Sequence, residues 1–173
     1  NGHFTRVPKT PRAGFNYDLR ANDSDFRTGD FNGDGRTDFI HFYSPTELHL
    51  WLSKGDGDFE VVSRTPTTIY SPCYYQRPDG MANYNFKGED EADYQFLIAD
   101  FNGDGRTDVI HFFNNTDVFV WISDGNGNFQ VSRAFPNTPS GYGLKGDAKY
   151  HFIGGDFDGD GKSDLLHIVD RNT

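Results

Sequence analysis

The sequence predicts an all-β protein built from repeated four-stranded antiparallel units. Three observations carry the prediction. One nine-residue acidic stretch, DFNGDGRTD, stands at 30–38 and again at 100–108, and returns as DFDGDGKSD at 156–164. The runs around it are short, β-branched or aromatic, bounded by Gly, Asp and Asn, and show no sustained helical period. Phe, Tyr and Trp make up 16% of the residues while Met occurs once, a composition that suits many short strands better than helices.

The similarity extends beyond the acidic stretch, and an internal repeat decides the architecture. Upstream stand SDFRTGD, YQFLIAD and YHFIGGD, and downstream FIHFYS, VIHFFN and LLHIVD. Further on, LHLWLSKGDGDFEVV (48–62) aligns with VFVWISDGNGNFQVS (118–132), placing Trp51 on Trp121 and Phe59 on Phe129. Each unit therefore reads as strand, acidic loop, strand, short connection, strand, Gly-rich hairpin, strand. The hairpins are signalled by KGDG and DGNG, because Asp-Gly and Asn-Gly accept the positive φ angles of tight turns.

Four antiparallel strands per repeat make one blade of a β-propeller. Successive acidic loops start 70 and 56 residues apart, so the connections between blades are extended. NGHF at 1–4 aligns with NGNF at 126–129, which makes 1–10 the fourth strand of a preceding blade. Blades are then expected over 24–66 and 94–135, with 150–173 giving the first two strands of a further blade. Two complete blades and a third split between the ends leave sheet faces and edges to cover. The expectation is a fragment of a longer propeller, or a unit of which several copies assemble to close the ring.

Positions 1, 3, 5 and 9 of each acidic loop are oxygen donors, and a Gly follows the third of them, where a sharp turn is needed. That pattern wraps a loop around a hard cation, with position 7 offering its backbone carbonyl. The candidate ligands are Asp30, Asn32, Asp34, the Arg36 carbonyl and Asp38 in the first loop. In the second they are Asp100, Asn102, Asp104, the Arg106 carbonyl and Asp108, and in the third Asp156, Asp158, Asp160, the Lys162 carbonyl and Asp164. Calcium suits flexible carboxylate and carbonyl ligation better than magnesium, and zinc or copper would call for Cys or His, which the loops lack. The loops carry three, three and four acidic side chains, which repel at such spacing without a cation. About three calcium ions per chain are expected, as staples between the first two strands of each blade. No general base or nucleophile recurs beside them, so no catalytic residue is assigned.

The acidic loops and the W-[LI]-S-x-G-[DN]-G-x-F segment resemble the FG-GAP (VCBS-type) repeat of integrin α-subunit propellers, secreted microbial proteins and seven-bladed calcium-binding fungal lectins. The resemblance spans essentially the whole chain and is weaker in the connections 64–94 and 134–150. It implies an extracellular, secreted, calcium-stapled propeller that acts by binding, without naming the ligand. Glycans or glycoproteins are the first class of partner. A protein-interaction scaffold, integrin-like or within a larger toxin or adhesin, is the alternative, and a polysaccharide-acting enzyme comes third.

The formal charge of −10 argues against nucleic acid, whose phosphates call for clustered Lys and Arg. No apolar run approaches the ~20 residues of a membrane helix, so no membrane insertion is expected. One cysteine, Cys73, forms no internal disulfide, and Asn22 and Asn114 head glycosylation sequons. In a four-stranded meander the acidic loops and Gly-rich hairpins share one end, and the 2–3 loops and long connections share the other. Aromatic residues at that second end, Tyr17, Tyr43, Tyr84 and Tyr142, are the candidate ligand-binding set, since ring faces stack on sugars. His41, His111 and His167 repeat three residues after the acidic loop and are read as packing positions, as are Trp51 and Trp121.

Overall fold

A computed structural model describes residues 25–44, 47–64, 94–113, 117–134 and 150–169, which are strand or loop with no helix among them. Strands β1 (Asp25–Gly29), β2 (Asp38–Ser44), β3 (Glu47–Ser53) and β4 (Phe59–Arg64) form one four-stranded sheet in chain order. Strands β5 (Tyr94–Ala99), β6 (Asp108–Phe113), β7 (Asp117–Ser123) and β8 (Phe129–Ala134) form a second, and β9 (Tyr150–Gly155) pairs with β10 (Asp164–Val169). Every pairing is antiparallel. The all-β expectation of four-stranded antiparallel blades is met. Residues 1–10, Cys73 and the sequons at Asn22 and Asn114 lie outside the described residues.

Successive side chains on a strand point to opposite faces, and that period of two builds the junctions between blades. On β2, Ile40 and Phe42 face the second blade and are fully buried there with Phe96, Val109 and Trp121. Phe42 stacks on Phe96 with ring centroids 3.9 Å apart and planes at 10°. One blade further, Ile110, Phe112 and Val118 pack with Phe152, and Phe112 stacks on Phe152 at 3.9 Å and 15°. The other face of each second strand carries the repeated histidine. His41 lies flat on Phe26, His111 on Phe96 and His167 on Phe152, at 4.1, 4.5 and 4.5 Å. The imidazoles are thus part of the packing, and Trp51 and Trp121 are core residues at 1% exposure.

The first strands of neighbouring blades approach one another, β1 to β5 and β5 to β9. That closeness limits side-chain size. A Cβ built on Gly29 would lie 2.4 Å from the Cγ2 of Thr107. The corresponding place in the second blade is Ala99, and there the neighbouring third loop has Ser163 in place of Thr107. Gly29→Ala is therefore expected to cost about 1–3 kcal/mol through overpacking. Adding Thr107→Ser should recover most of that loss in a urea unfolding titration, and a double variant no better than the single one would contradict the clash.

Candidate metal loops and ligand surface

The acidic loops are folded by their own carboxylates. Gly33 and Gly35 take φ of 74° and 80°, a region that an L side chain rarely adopts, and this turns the backbone N–H groups inward. Asp30 Oδ1 accepts from the N–H of Gly33 (2.8 Å) and Asp34 (3.0 Å), and Oδ2 from that of Gly35 (2.7 Å). Asn32 Oδ1 accepts from the Asp34 N–H, and Asp34 Oδ1 from the Arg36 N–H. The second and third loops repeat the scheme, centred on Asp100 and Asp156.

Position 9 does a different job. Asp38 is fully buried, and its carboxylate accepts from Phe31 N–H at 3.0 Å and from Ser53 N–H, at the end of β3, at 2.7 Å. Asp108 does the same with Phe101 and Ser123. Arg36 Nε donates to the Ser53 carbonyl at 2.8 Å and Arg106 Nε to that of Ser123 at 3.2 Å. The acidic loops and the Gly-rich hairpins therefore lie at one end of each of the first two blades.

Adjacent loops are also tied together, which the sequence reading did not anticipate. Thr107 N–H donates to the Asp30 carbonyl and Ser163 N–H to the Asp100 carbonyl, both at 2.7 Å. Ser123 Oγ donates to the Phe31 carbonyl at 2.7 Å, and Phe31 is fully buried against Phe129 of the next blade. The available signal was the repetition of Phe at position 2 and of Thr or Ser at position 8. Repetition marked those positions without revealing that their partners lie in the neighbouring blade.

The donor set fits a hard divalent cation most directly in the third loop. There, carboxylate oxygens of Asp156, Asp158 and Asp164 all lie within 4.8 Å of one another. In the first two loops position 3 is asparagine, whose amide donates to the position 5 carboxylate at 2.7 and 2.9 Å. The same carboxylates, Asp34 and Asp104, are held by the guanidinium groups of Arg36 and Arg106. A cation would compete with those ion pairs, which are exposed and individually weak.

Protonation follows the same division. Loss of water around Asp34 and Asp104 raises their carboxyls, but the Asn amides, the backbone N–H of position 7 and the arginine charge outweigh it and hold them below 3.8. Burial pushes Asp38 and Asp108 above 3.8, opposed by their two backbone N–H donors and reinforced by the neighbouring loop carboxylates. A raised acid keeps its proton longer in the fold than in the unfolded chain. Metal-free stability from Asp38 and Asp108 therefore falls as pH rises from 3.8 through their folded values, and that from Asp34 and Asp104 is lost as pH falls below 3.8. A cation needs the ionised form. Calcium affinity is thus expected to drop as pH falls through the raised values of Asp38 and Asp108, with proton uptake on release, readable by titration calorimetry in buffers of different ionisation enthalpy.

Of the candidate ligand tyrosines, Tyr43 lies on β2, 38% exposed, its ring edge-on to His49 at 5.4 Å and to His41 at 5.7 Å. Tyr17, Tyr84 and Tyr142 lie outside the described residues.

No curated protein matches the chain by sequence. Among solved structures, it is similar to a lectin of Agrocybe aegerita described by its specific recognition of non-reducing terminal N-acetylglucosamine. Identity is 25% and the TM-score 0.54, over 84% of this chain and 32% of the lectin's, so this chain spans about a third of that length. Residues 100–167, the second and third acidic loops with the strands around them, match the FG-GAP-like repeat model, and the described residues form an all-β array of blades that carries this repeat.

Proposed function

We propose that this protein binds carbohydrate, as a lectin-type array of blades whose calcium ions hold the loops and do not touch the sugar. The supporting observation is the likeness to the Agrocybe aegerita lectin at 25% identity over 84% of the chain. Terminal N-acetylglucosamine is accordingly the first ligand to test. Each acidic loop would hold one ion through positions 1, 3, 5 and 9 and the carbonyl of Arg36, Arg106 or Lys162. The ion supplies charge neutralisation and a fixed loop shape, worth most where the carboxylates already converge, as at Asp156, Asp158 and Asp164. Exposed, hydrated ligation of this kind suits the millimolar calcium outside cells, which supports a secreted location. Turnover forms no part of the reading, because the repeated carboxylates are occupied by loop hydrogen bonds and by the ion.

Isothermal titration of the intact chain in calcium tests it. A saccharide ending in N-acetylglucosamine should bind saturably, and one ending in galactose should give no more than dilution heat. A folded protein that binds neither sugar would move the assignment to a scaffold for another protein.

A further inference from the structure

The chain contains Asn-Gly steps at 1–2, 32–33, 102–103 and 126–127, the first of them outside the described residues. Such a step carries its own chemistry. The backbone nitrogen of the glycine, after losing its proton to base, attacks Cγ of the asparagine side chain. A C–N bond closes a succinimide ring, and the amide nitrogen Nδ2 leaves as ammonia. Water then opens the ring at either carbonyl, giving Asp or isoAsp. One water is consumed and one ammonia released, with nothing oxidised or reduced. Glycine permits the attack because no side chain shields its nitrogen. Two conditions remain: the glycine N–H must be free of an acceptor, and the amide must be free to turn toward it.

The acidic loops meet neither condition. Gly33 N–H donates to Asp30 Oδ1 at 2.8 Å, and Gly103 N–H to Asp100 Oδ1 at 2.7 Å. Both ends of each asparagine amide are also held. Asn32 Oδ1 accepts the Asp34 N–H while its Nδ2 donates to Asp34 Oδ2, and Asn102 repeats this on Asp104.

The hairpin between β7 and β8 is different. The Asp124 carboxylate accepts from the N–H of Asn126 at 2.7 Å and of Asn128 at 3.0 Å, and passes over that of Gly127. Among the described residues no acceptor holds the Gly127 N–H, and no donor holds Asn126 Oδ1. The one bond of the Asn126 amide is a long one, from Nδ2 to the Asp124 carbonyl at 3.3 Å. Asn126 itself is exposed.

We infer that Asn126 is a deamidation site of the folded protein, and that the carboxylates of the acidic loops protect Asn32 and Asn102 from the same reaction. A hydrogen bond to a charged acceptor lowers the population of freed N–H roughly tenfold or more, and the ring closes only from that population. The product adds a negative charge two residues from Asp124. As Asp it gives this hairpin the acid that the first blade already has at the same place, Asp56. As isoAsp it inserts a methylene into the backbone of a tight turn. Gly127 there has φ of 85°, and a Cβ built on it would lie 3.1 Å from Val62 Cγ1 of the preceding blade. This inference does not depend on the glycan reading.

Peptide mapping by mass spectrometry tests it on the full chain, folded in calcium and held at mildly alkaline pH, with digestion in acid so that handling adds no conversion. A sample unfolded in urea gives the intrinsic rate of each step. Relative to that sample, Asn126 should convert roughly tenfold or more faster than Asn32 and Asn102 in the folded chain. Asn126→Gln should remove the early acidic form on ion exchange and leave the other two rates unchanged. Equal protection of the three steps in the folded chain would overturn the inference. So would an Asn126 that stays intact in the fold while the unfolded chain reacts at all three.

Discussion

Chelation is expected to lower the melting temperature by roughly 20 °C. A ligand that binds only the folded state at 100 times its dissociation constant stabilises by about 2.7 kcal/mol per site. Three such sites come to about 8 kcal/mol, and a protein of this size loses about 2–4 °C per kcal/mol. The loops explain why the effect is large: without a cation, carboxylates such as Asp156, Asp158 and Asp164 converge within 4.8 Å. Melting should be recorded in millimolar calcium, in excess EDTA, and in EDTA overtitrated with calcium. Full recovery in the third sample separates metal loss from any direct effect of the chelator. The third loop, with four acidic side chains against three in the others, should hold its ion at the lowest free calcium.

The second large effect is placed at the first blade junction. Phe42→Ala is expected to destabilise by about 3–5 kcal/mol, the range for removing a buried aromatic ring. Phe42 is fully buried, stacks on Phe96 and lies edge-on to Trp121, so its loss opens a cavity across the junction and not within one sheet. Ile168→Ala, the same place on the third blade, is 44% exposed and should cost little in the isolated chain. Urea midpoints for the two variants at unchanged slope give the comparison directly. Similar losses at both places would mean that the outer face of the third blade is covered.

Local signals made most of the blade legible. The hairpins were readable because Gly55, Gly57, Gly125 and Gly127 take the positive φ that KGDG and DGNG announce. Aligning Trp51 with Trp121 put both on the third strand, where they pair with Val61 and Val131. The acidic loops were readable as wrapped turns because their side chains bond to backbone two to five residues away. What stayed illegible depends on residues far apart in sequence. Phe31 reads as one more loop residue until Phe129, 98 positions later, is found against it. In the sequence Asp38 reads as one ligand among several, although its two bonds to Phe31 and Ser53 N–H make it the tie between loop and hairpin. The close approach of Gly29 to Thr107 left only a faint trace, the exchange of Gly for Ala where Thr becomes Ser.

Connections between repeated elements vary more than the elements themselves, and 64–94 and 134–150 differ from each other in length and composition. On the proposed reading calcium is a condition for shape, so its removal should abolish ligand binding through loss of the fold and not through loss of a direct contact.

Carbohydrate binding is decided by a glycan array probed with the intact protein in calcium and again in EDTA. Glycans ending in non-reducing N-acetylglucosamine should be retained selectively, with retention lost on chelation and restored with calcium. An array left blank by protein that melts cooperatively in the same buffer would contradict it.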